Sequence, residues 1–326
     1  MNLPCLALAL GAVSAGALRL PDGDSCTTPA DKLKPGCGLL VIAAGHKHVK
    51  EGMTNWLPAL VTQEPIPSCP TLEVHVYTDA LETFRQGLED LPMGKAELAR
   101  KRWSLHLRDV QELRSCAEEG YREHQLFKYY QKVLLMKFAG SFEIAIMADT
   151  DIQLKKKDTL AQYVEMLGSQ DLVLSKERNP WAGSAFNHRY PRPPGLGPTE
   201  LTEFANYPER NTGFVVFNMR NPAVRKLIHL WGQRFTECMD DCCCQKVIHD
   251  QPSFREALFE LRSEIKEELC SPDTCCREAG AYACPPGVCT STSCLFWHAH
   301  NWSVTVAPPG FKPGAAKARK CTCPES

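Results

Sequence analysis

The chain has almost no net charge: 37 lysines and arginines face 38 aspartates and glutamates, a balance of −1. No surface of one dominant sign is available to meet a nucleic-acid backbone or an anionic membrane, which excludes general binders of either kind. Long apolar runs are scarce too. The uncharged stretch from Leu3 to Leu18 is shorter than the roughly 20 residues that a membrane-spanning helix needs. No basic residue precedes it, and Arg19 ends it. Val13-Ser14-Ala15 and Ala15-Gly16-Ala17 fit a small-residue cleavage site, so residues 1–17 are expected to be a cleaved signal peptide, with an uncleaved anchor as the alternative. There is no internal repeat. No C-x-x-C pair is matched to a second one, so the spacing signature of a structural zinc is missing.

What is present is cysteine, 17 in 326 residues. Cys5 falls in the expected signal, which leaves an even number, and ten lie between Cys238 and Cys294. In an oxidising compartment such a set implies disulfides, so the expected location is the secretory pathway: the Golgi or ER lumen, or outside the cell. Residues 18–36 are turn-rich and polar and read as a linker, 37–310 as one domain carrying the Cys-rich insertion at about 238–294, and 311–326 as a tail.

Within the domain, strand and helix patterns alternate. "GLLVIAAG" (38–45) reads as a buried strand ending in a Gly loop, and "HVKEGMTNWLPALV" follows with helical spacing. "TLEVHVYTD" (71–79) and "WSLHLRD" (103–109) alternate as strands. Residues 123–140 place Leu126, Tyr130, Val133 and Leu134 on one helix face. "FEIAIMADTDIQL" (142–154), "DLVLS" (171–175) and "TGFVVFN" (212–218) are further strands, and "NPAVRKLIHLWGQRF" is a helix with Pro222 near its start. This order predicts an α/β, Rossmann-like fold with a mostly parallel central sheet, in which ligands bind at the carboxyl ends of the strands. The Pro/Gly-rich segment 178–198 reads as a long loop, either a lid or a plain surface excursion.

Asp149 and Asp151 stand at such a strand end, and strand alternation points them the same way. Two close carboxylates repel unless a positive group lies between them. A hard divalent cation with oxygen ligands serves, and Mg²⁺ or Mn²⁺ in turn favours phosphate oxygens. A pair of solvated acids in a turn is the plainer alternative.

"FEIAIMADTDIQL" resembles the strand and D-x-D segment of GT-A nucleotide-sugar glycosyltransferases. "ERNTGFVVFNMRNPAVRKLIHLW" (209–231) resembles their N-[ST]-G strand and following helix, "HDQPSF" (249–254) their D-Q segment, and "FWHAHNW" (296–302) their late His motif. The nearest groups are retaining: glycogenin-like and bacterial galactosyltransferase-like enzymes, and plant and algal cell-wall xylosyl- and arabinosyltransferases. The resemblance implies transfer of a sugar from a nucleotide-diphosphate sugar, with a UDP-sugar expected, to a hydroxyl of a glycan or glycoprotein acceptor. Retention is expected from the same groups, and a Golgi enzyme fits the cysteine reading. It implies that Asp149 and Asp151 hold Mn²⁺ (or Mg²⁺), completed by His298 or His300, which cannot be aligned uniquely. Asp149 would also touch the ribose. Lys132, or Lys128 one turn earlier, would meet the diphosphate. Ala43, Ala44 and Gly45 would seat the nucleotide, with Asp79 beside them unless it simply caps a helix. Asn211, Thr212 and Gly213 would lie near sugar or acceptor. Asp250 and Gln251 would face the transferred sugar, and Trp181 or Tyr190 could stack on an acceptor.

Two departures stand out. The dense cysteines straddle Asp250-Gln251, and the usual Gly and Lys after the late His are not clear, although Lys312 could stand in. Asn301-Trp302-Ser303 is a glycosylation sequon, expected to be unmodified if His300 ligates a metal. Two rival readings remain. One is a secreted, disulfide-rich carbohydrate-binding protein on a transferase scaffold. The other is a haloacid dehalogenase-type phosphatase, disfavoured by Gln153 and by the 148 residues ahead of Asp149.

Overall fold

The computed structural model describes residues 33–124, 127–139, 141–176, 196–208, 210–240, 250–270, 275–278 and 296–299. The expected signal peptide, the tail, His300, Trp181, Tyr190 and most of the Cys-rich insertion lie outside these residues.

The chain runs β1 (Lys34–Ala43), α1 (His46–Glu51), a π-helical turn (Gly52–Trp56), α2 (Leu57–Thr62), β2 (Leu72–Thr78), α3 (Leu81–Asp90), α4 (Gly94–Arg100) and β3 (Trp103–Asp109). The short helices α5 (Gln111–Ser115) and α6 (Glu119–Arg122) lead to α7 (Phe127–Ala139), β4 (Phe142–Asp149), β5 (Ile152–Leu154), α8 (Thr159–Glu165) and β6 (Leu172–Lys176). Then come α9 (Pro198–Asn206), β7 (Arg210–Asn218), α10 (Pro222–Asp240), α11 (Gln251–Glu260), β8 (Glu267–Cys270), β9 (Cys275–Glu278) and β10 (Phe296–Ala299).

Seven strands form one sheet in the order β3-β2-β1-β4-β7-β6-β8. Pairings β3–β2, β2–β1, β1–β4 and β6–β8 are parallel, and β7 runs antiparallel to both β4 and β6. The predicted α/β architecture with a mostly parallel sheet is therefore the one adopted. Central strands read as continuous apolar runs because both faces are covered. Leu39, Val41, Val74, Val76 and Ile146 pack on one side with Trp56 and Tyr163. Leu40, Tyr77, Ala145 and Met147 pack on the other with Val133, Leu134 and Trp231. Gly38 permits one close approach: a Cβ there would come 2.2 Å from the Phe142 ring.

Two local readings change. β1 starts at Lys34, so the end of the expected linker belongs to the strand. Lys34 already pairs with Phe142, and a register irregularity between Lys34 and Cys37, with Gly36 at φ 103°, absorbs the Pro and Gly that argued for a turn. Nor is 142–154 one strand. β4 ends at Asp149, the chain turns at Thr150 and Asp151, and β5 joins a separate three-stranded sheet in the order β5-β10-β9.

The cysteine reading is met in part. Cys37 is bonded to Cys69, tying β1 to the loop ahead of β2, and Cys116 is disulfide-bonded as well. Closing the 32-residue separation contributes about 3–4 kcal/mol on chain-entropy grounds. Among the described residues no helix is long and apolar enough to cross a membrane.

Helix α11 carries a buried acid. Glu256 is 2% exposed, and Arg234 of α10 stands 3.7 Å from it while also binding Glu260 and Glu237, each at 2.7 Å. Burial pushes the Glu256 carboxyl up to about 8, with Arg234 opposing only in part and Glu260 and Glu237 adding to the rise. The folded protein thus binds a proton that the unfolded chain releases above the ordinary glutamate value of 4.5. This contribution to stability is complete below that value and fades as pH rises towards about 8. Glu256→Gln is expected to flatten the decline of urea-unfolding stability across that window, and an unchanged slope would show that Glu256 is ionised in the fold.

Candidate functional site

The carboxyl end of β4 and the amino end of the antiparallel β7 meet at the centre of the sheet, and the acids gather there. Lys132, on the α7 face turned to the sheet, places its Nζ 2.9 Å from both Asp149 oxygens. The same ammonium is 3.3 Å from Asp250 Oδ2, in the segment that opens α11. Asp151 adds to the field at Lys132. Burial by itself would depress the lysine, but the charges of Asp149 and Asp250, the Asp149 hydrogen bond and Asp151 outweigh it and hold the ammonium above the ordinary lysine range. Asp151 and Asp250 are buried, at 9% and 5% exposure, so this is a low-dielectric cluster rather than solvated acids in a turn.

The residues around it are fixed by hydrogen bonds. Thr212 Oγ1 donates to Asp250 Oδ2 at 2.6 Å, and Trp231 Nε1 donates to the Asp250 carbonyl at 3.1 Å. Asn211 Nδ2 donates to Gln251 Oε1 at 3.2 Å, and the Gly213 amide donates to Asn211 Oδ1 at 2.8 Å. The N-T-G segment of β7 and the D-Q segment are thereby clamped together across 38 to 40 residues of sequence. Ser253 Oγ donates to the Asp250 carbonyl at 2.9 Å, closing the first turn of α11.

A second group lies at the ends of β1 and β2. The Gly45 amide, at φ 82°, donates to both Asp79 oxygens at 3.0 and 3.2 Å. Asp79 is therefore not the side-chain cap of α3, whose N-cap is Ala80. Thr78 Oγ1 donates to the Ala43 carbonyl at 2.7 Å, and the Ala43 side chain is buried in the core, so this residue presents only backbone to a ligand.

Of the two late histidines, His298 lies in β10 opposite Ile152, next in sequence to Asp151. His300 is outside the described residues, as is the Lys128 side chain. Sequence reasoning missed two contacts. His48 Nδ1 of α1 is 3.2 Å from Thr150 Oγ1, the residue between the two acids. Trp231 reaches the D-Q backbone. The one available signal for His48 was an imidazole within a turn of the loop after the first strand; nothing in the pattern of α10 marked Trp231 as more than core.

No protein-family model matches the chain, and no curated protein does. Solved structures do. Mouse xyloside xylosyltransferase 1 is similar over 82% of this chain and 98% of its own, at 13% identity and a TM-score of 0.48. The galactosyltransferase LgtC, solved with donor and acceptor sugar analogs, is similar over 80% of this chain and 86% of its own, at 11% identity and a TM-score of 0.45. WbbM, a bifunctional glycosyltransferase, matches 87% of this chain, at 12% identity and a TM-score of 0.48; this chain spans about half of it, 47%. At identities this low, function has to be read from the chain's own residues.

Proposed function

We propose that the protein is a GT-A-type, metal-dependent glycosyltransferase that moves a sugar from a nucleotide-diphosphate sugar, a UDP-sugar foremost, to a hydroxyl of a glycan or glycoprotein in the secretory pathway. The observation that carries this reading is the convergence of Asp149, Asp151, Asp250 and Lys132 from three distant segments at the sheet's central strand ends. The donor type suits the implied ion, carboxylate oxygens being hard ligands for Mn²⁺ or Mg²⁺; among the described residues these acids do not form a three-ligand group, and Lys132 occupies both Asp149 oxygens, so an ion would have to displace it. Asp149 and Asp151 would hold it, with His298 or His300 as a further ligand. When bound, such an ion supplies Lewis-acid charge neutralisation for a diphosphate.

The chain's own groups account for the remaining steps. Lys132 supplies a fixed positive charge in a site of low dielectric, where it opposes the negative charge that develops on the departing diphosphate. The anomeric C–O bond to the diphosphate breaks, a C–O bond to the acceptor hydroxyl forms, and the hydroxyl proton passes to the leaving phosphate oxygen or to solvent. Asp250, held by Thr212, and Gln251, held by Asn211, would hydrogen-bond the sugar, with Gly213 allowing close approach. Asp79 and Gly45 hold the loop that would seat the nucleotide, beside the Ala43 backbone. No nucleophile is required if transfer proceeds with retention on one face.

The test is release of UDP from a panel of UDP-sugars with and without Mn²⁺, comparing the natural protein with Asp151→Asn. The expected result is Mn²⁺-dependent release by the natural protein and, in the variant, a loss of about tenfold or more, the scale at which a metal-site interaction acts. Release that ignores both Mn²⁺ and the substitution would sink the metal assignment. Binding of sugars without turnover would favour a carbohydrate-binding protein, and cleavage of a phosphomonoester would favour a phosphatase.

A further inference from the structure

Strands β2 and β3 carry a second group of ligating side chains, apart from the acids around Lys132. Glu73 and His75 are two residues apart on β2 and so leave the sheet on one face. The β2–β3 register sets His106 directly opposite His75. The two imidazoles stack with centroids 4.6 Å apart and planes inclined by 22°. His75 Nε2 is 3.1 Å from Glu73 Oε2, and His106 Nε2 is 4.0 Å from the same oxygen. One ligand atom from each of the three side chains lies within 4.8 Å of the other two. Donors around a tetrahedral Zn²⁺, with bonds of about 2.0–2.2 Å, stand roughly 3.3–3.5 Å apart. Near-parallel rings do not aim their nitrogen lone pairs at one point, so reaching that arrangement requires the part-exposed His106 ring to turn out of its stack on His75.

We propose that Glu73, His75 and His106 form a binding site for a late first-row divalent ion, Zn²⁺ foremost, which clamps the edge strand β3 to β2. Backbone pairing, not a mobile loop, sets the spacing of the ligands. The Phe142 ring backs His75 edge-on, with centroids 5.7 Å apart, and limits its rotation. His106 and Glu73 have side chains 41% and 30% exposed, so the ion has an entry path. Ser104 Oγ, 3.1 Å from His106 Nε2, and the Lys34 ammonium, 3.3 Å from Glu73, are displaced on binding. Lys34 is free to move, its side chain being 56% exposed.

The chemistry of the donors separates this site from the carboxylate cluster. Two imidazoles and one carboxylate suit Zn²⁺ or its late-row neighbours, whereas Mg²⁺ and Mn²⁺ prefer oxygen. Position separates them as well. Tyr77 and Asp149 are both register partners of Ile42. Glu73 is therefore four residues down the sheet and two strands across from Asp149, roughly 16 Å at ordinary strand spacings. The clamp has a physical use at this place, because β3 is one of the two edge strands of the sheet among the described residues, and edge strands are otherwise the first to fray or to pair with another chain. This site does not depend on the transferase reading.

The experiment uses the full, disulfide-bonded chain carrying Asp151→Asn, which weakens ion binding at the carboxylate cluster. After treatment with a chelator it is titrated with Zn²⁺ by calorimetry and with Co²⁺ by visible absorption. The expected result is one equivalent of Zn²⁺ and a Co²⁺ ligand-field spectrum. His106→Ala in the same background, chosen because the side chain is part-exposed and the fold should survive, should bind Zn²⁺ at least tenfold more weakly and lose the Co²⁺ absorption. Glu73→Gln should do likewise. Circular dichroism confirms that both variants are folded. Absence of Zn²⁺ binding in the parent would overturn the proposal, as would equal affinity and spectra in parent and His106→Ala.

Discussion

Lys132→Met is expected to destabilise the protein by about 3–5 kcal/mol at neutral pH, the cost of leaving buried charge uncompensated. The side chains involved are largely shielded: 17% exposed for Lys132, 28% for Asp149 and 7% for Asp250. Removing the ammonium leaves carboxylates facing one another with one counter-charge fewer. The deficit should shrink as pH falls through the carboxylate range, because protonation then removes the repulsion. In the natural protein the sign is the reverse of an acid's. The folded lysine titrates above the ordinary lysine value of 10.5, so its contribution is present below that pH and is lost only on strong alkalinisation. Urea unfolding of both proteins at pH 7 and pH 4 checks this, with the gap expected to narrow at pH 4. UDP release should fall on the order of 10²–10³-fold, as for removal of a preorganised charge that stabilises a transition state. Lys132→Arg should recover part of the stability, since it restores the charge, but less of the activity, since guanidinium geometry differs. Equal stability of Lys132→Met and the natural protein would show that the acids do not share a buried site.

Trp231→Ala is expected to cost about 3–5 kcal/mol by opening a cavity under α11. The indole is fully buried and meets the Phe254 ring edge-on, with centroids 5.0 Å apart and an interplanar angle of 70°. It also donates to the Asp250 carbonyl, so it positions the D-Q backbone without touching a substrate. Trp231→Phe separates the two roles. It keeps much of the volume and loses the N–H, so about 1–3 kcal/mol of stability is expected to go. UDP release should fall through kcat more than KM if Asp250 and Gln251 act on the transferred sugar. A fall in stability with kcat unchanged would reduce Trp231 to core.

Much of the fold was legible in the chain because its strands are buried on both faces. The continuous apolar run Leu39–Ala43 and the alternation of Leu72, Val74 and Val76 carry their own signature, and the helices after them follow a 3.6-residue period. Boundaries were less legible. Lys34-Pro35-Gly36 reads locally as a turn, and only pairing with the Phe142 strand draws it into the sheet. The break at Thr150 was invisible because Ile152 and Leu154 continue the alternation of β4, while the partner that draws β5 away, β10, lies more than 140 residues further on. For Asp79 a place beside the nucleotide and a helix cap were both open on sequence, and the Gly45 amide that meets it is 34 residues distant.

By itself the sequence determined the kind of sheet and which acids stand at its strand ends, because burial and alternation are written in neighbouring residues. It also led to an expectation of disulfides, which the Cys37–Cys69 bond meets in part. Only the tertiary structure decided that Asp149, Asp250 and Lys132 are one charge cluster. It alone decided that Thr212 and Asn211 each grip one half of the D-Q segment, and that His75 faces His106. Those contacts join residues 17 to 118 positions apart or lie across a strand register. No local pattern encodes such a distance, since it is the packing of helices onto the sheet that sets it.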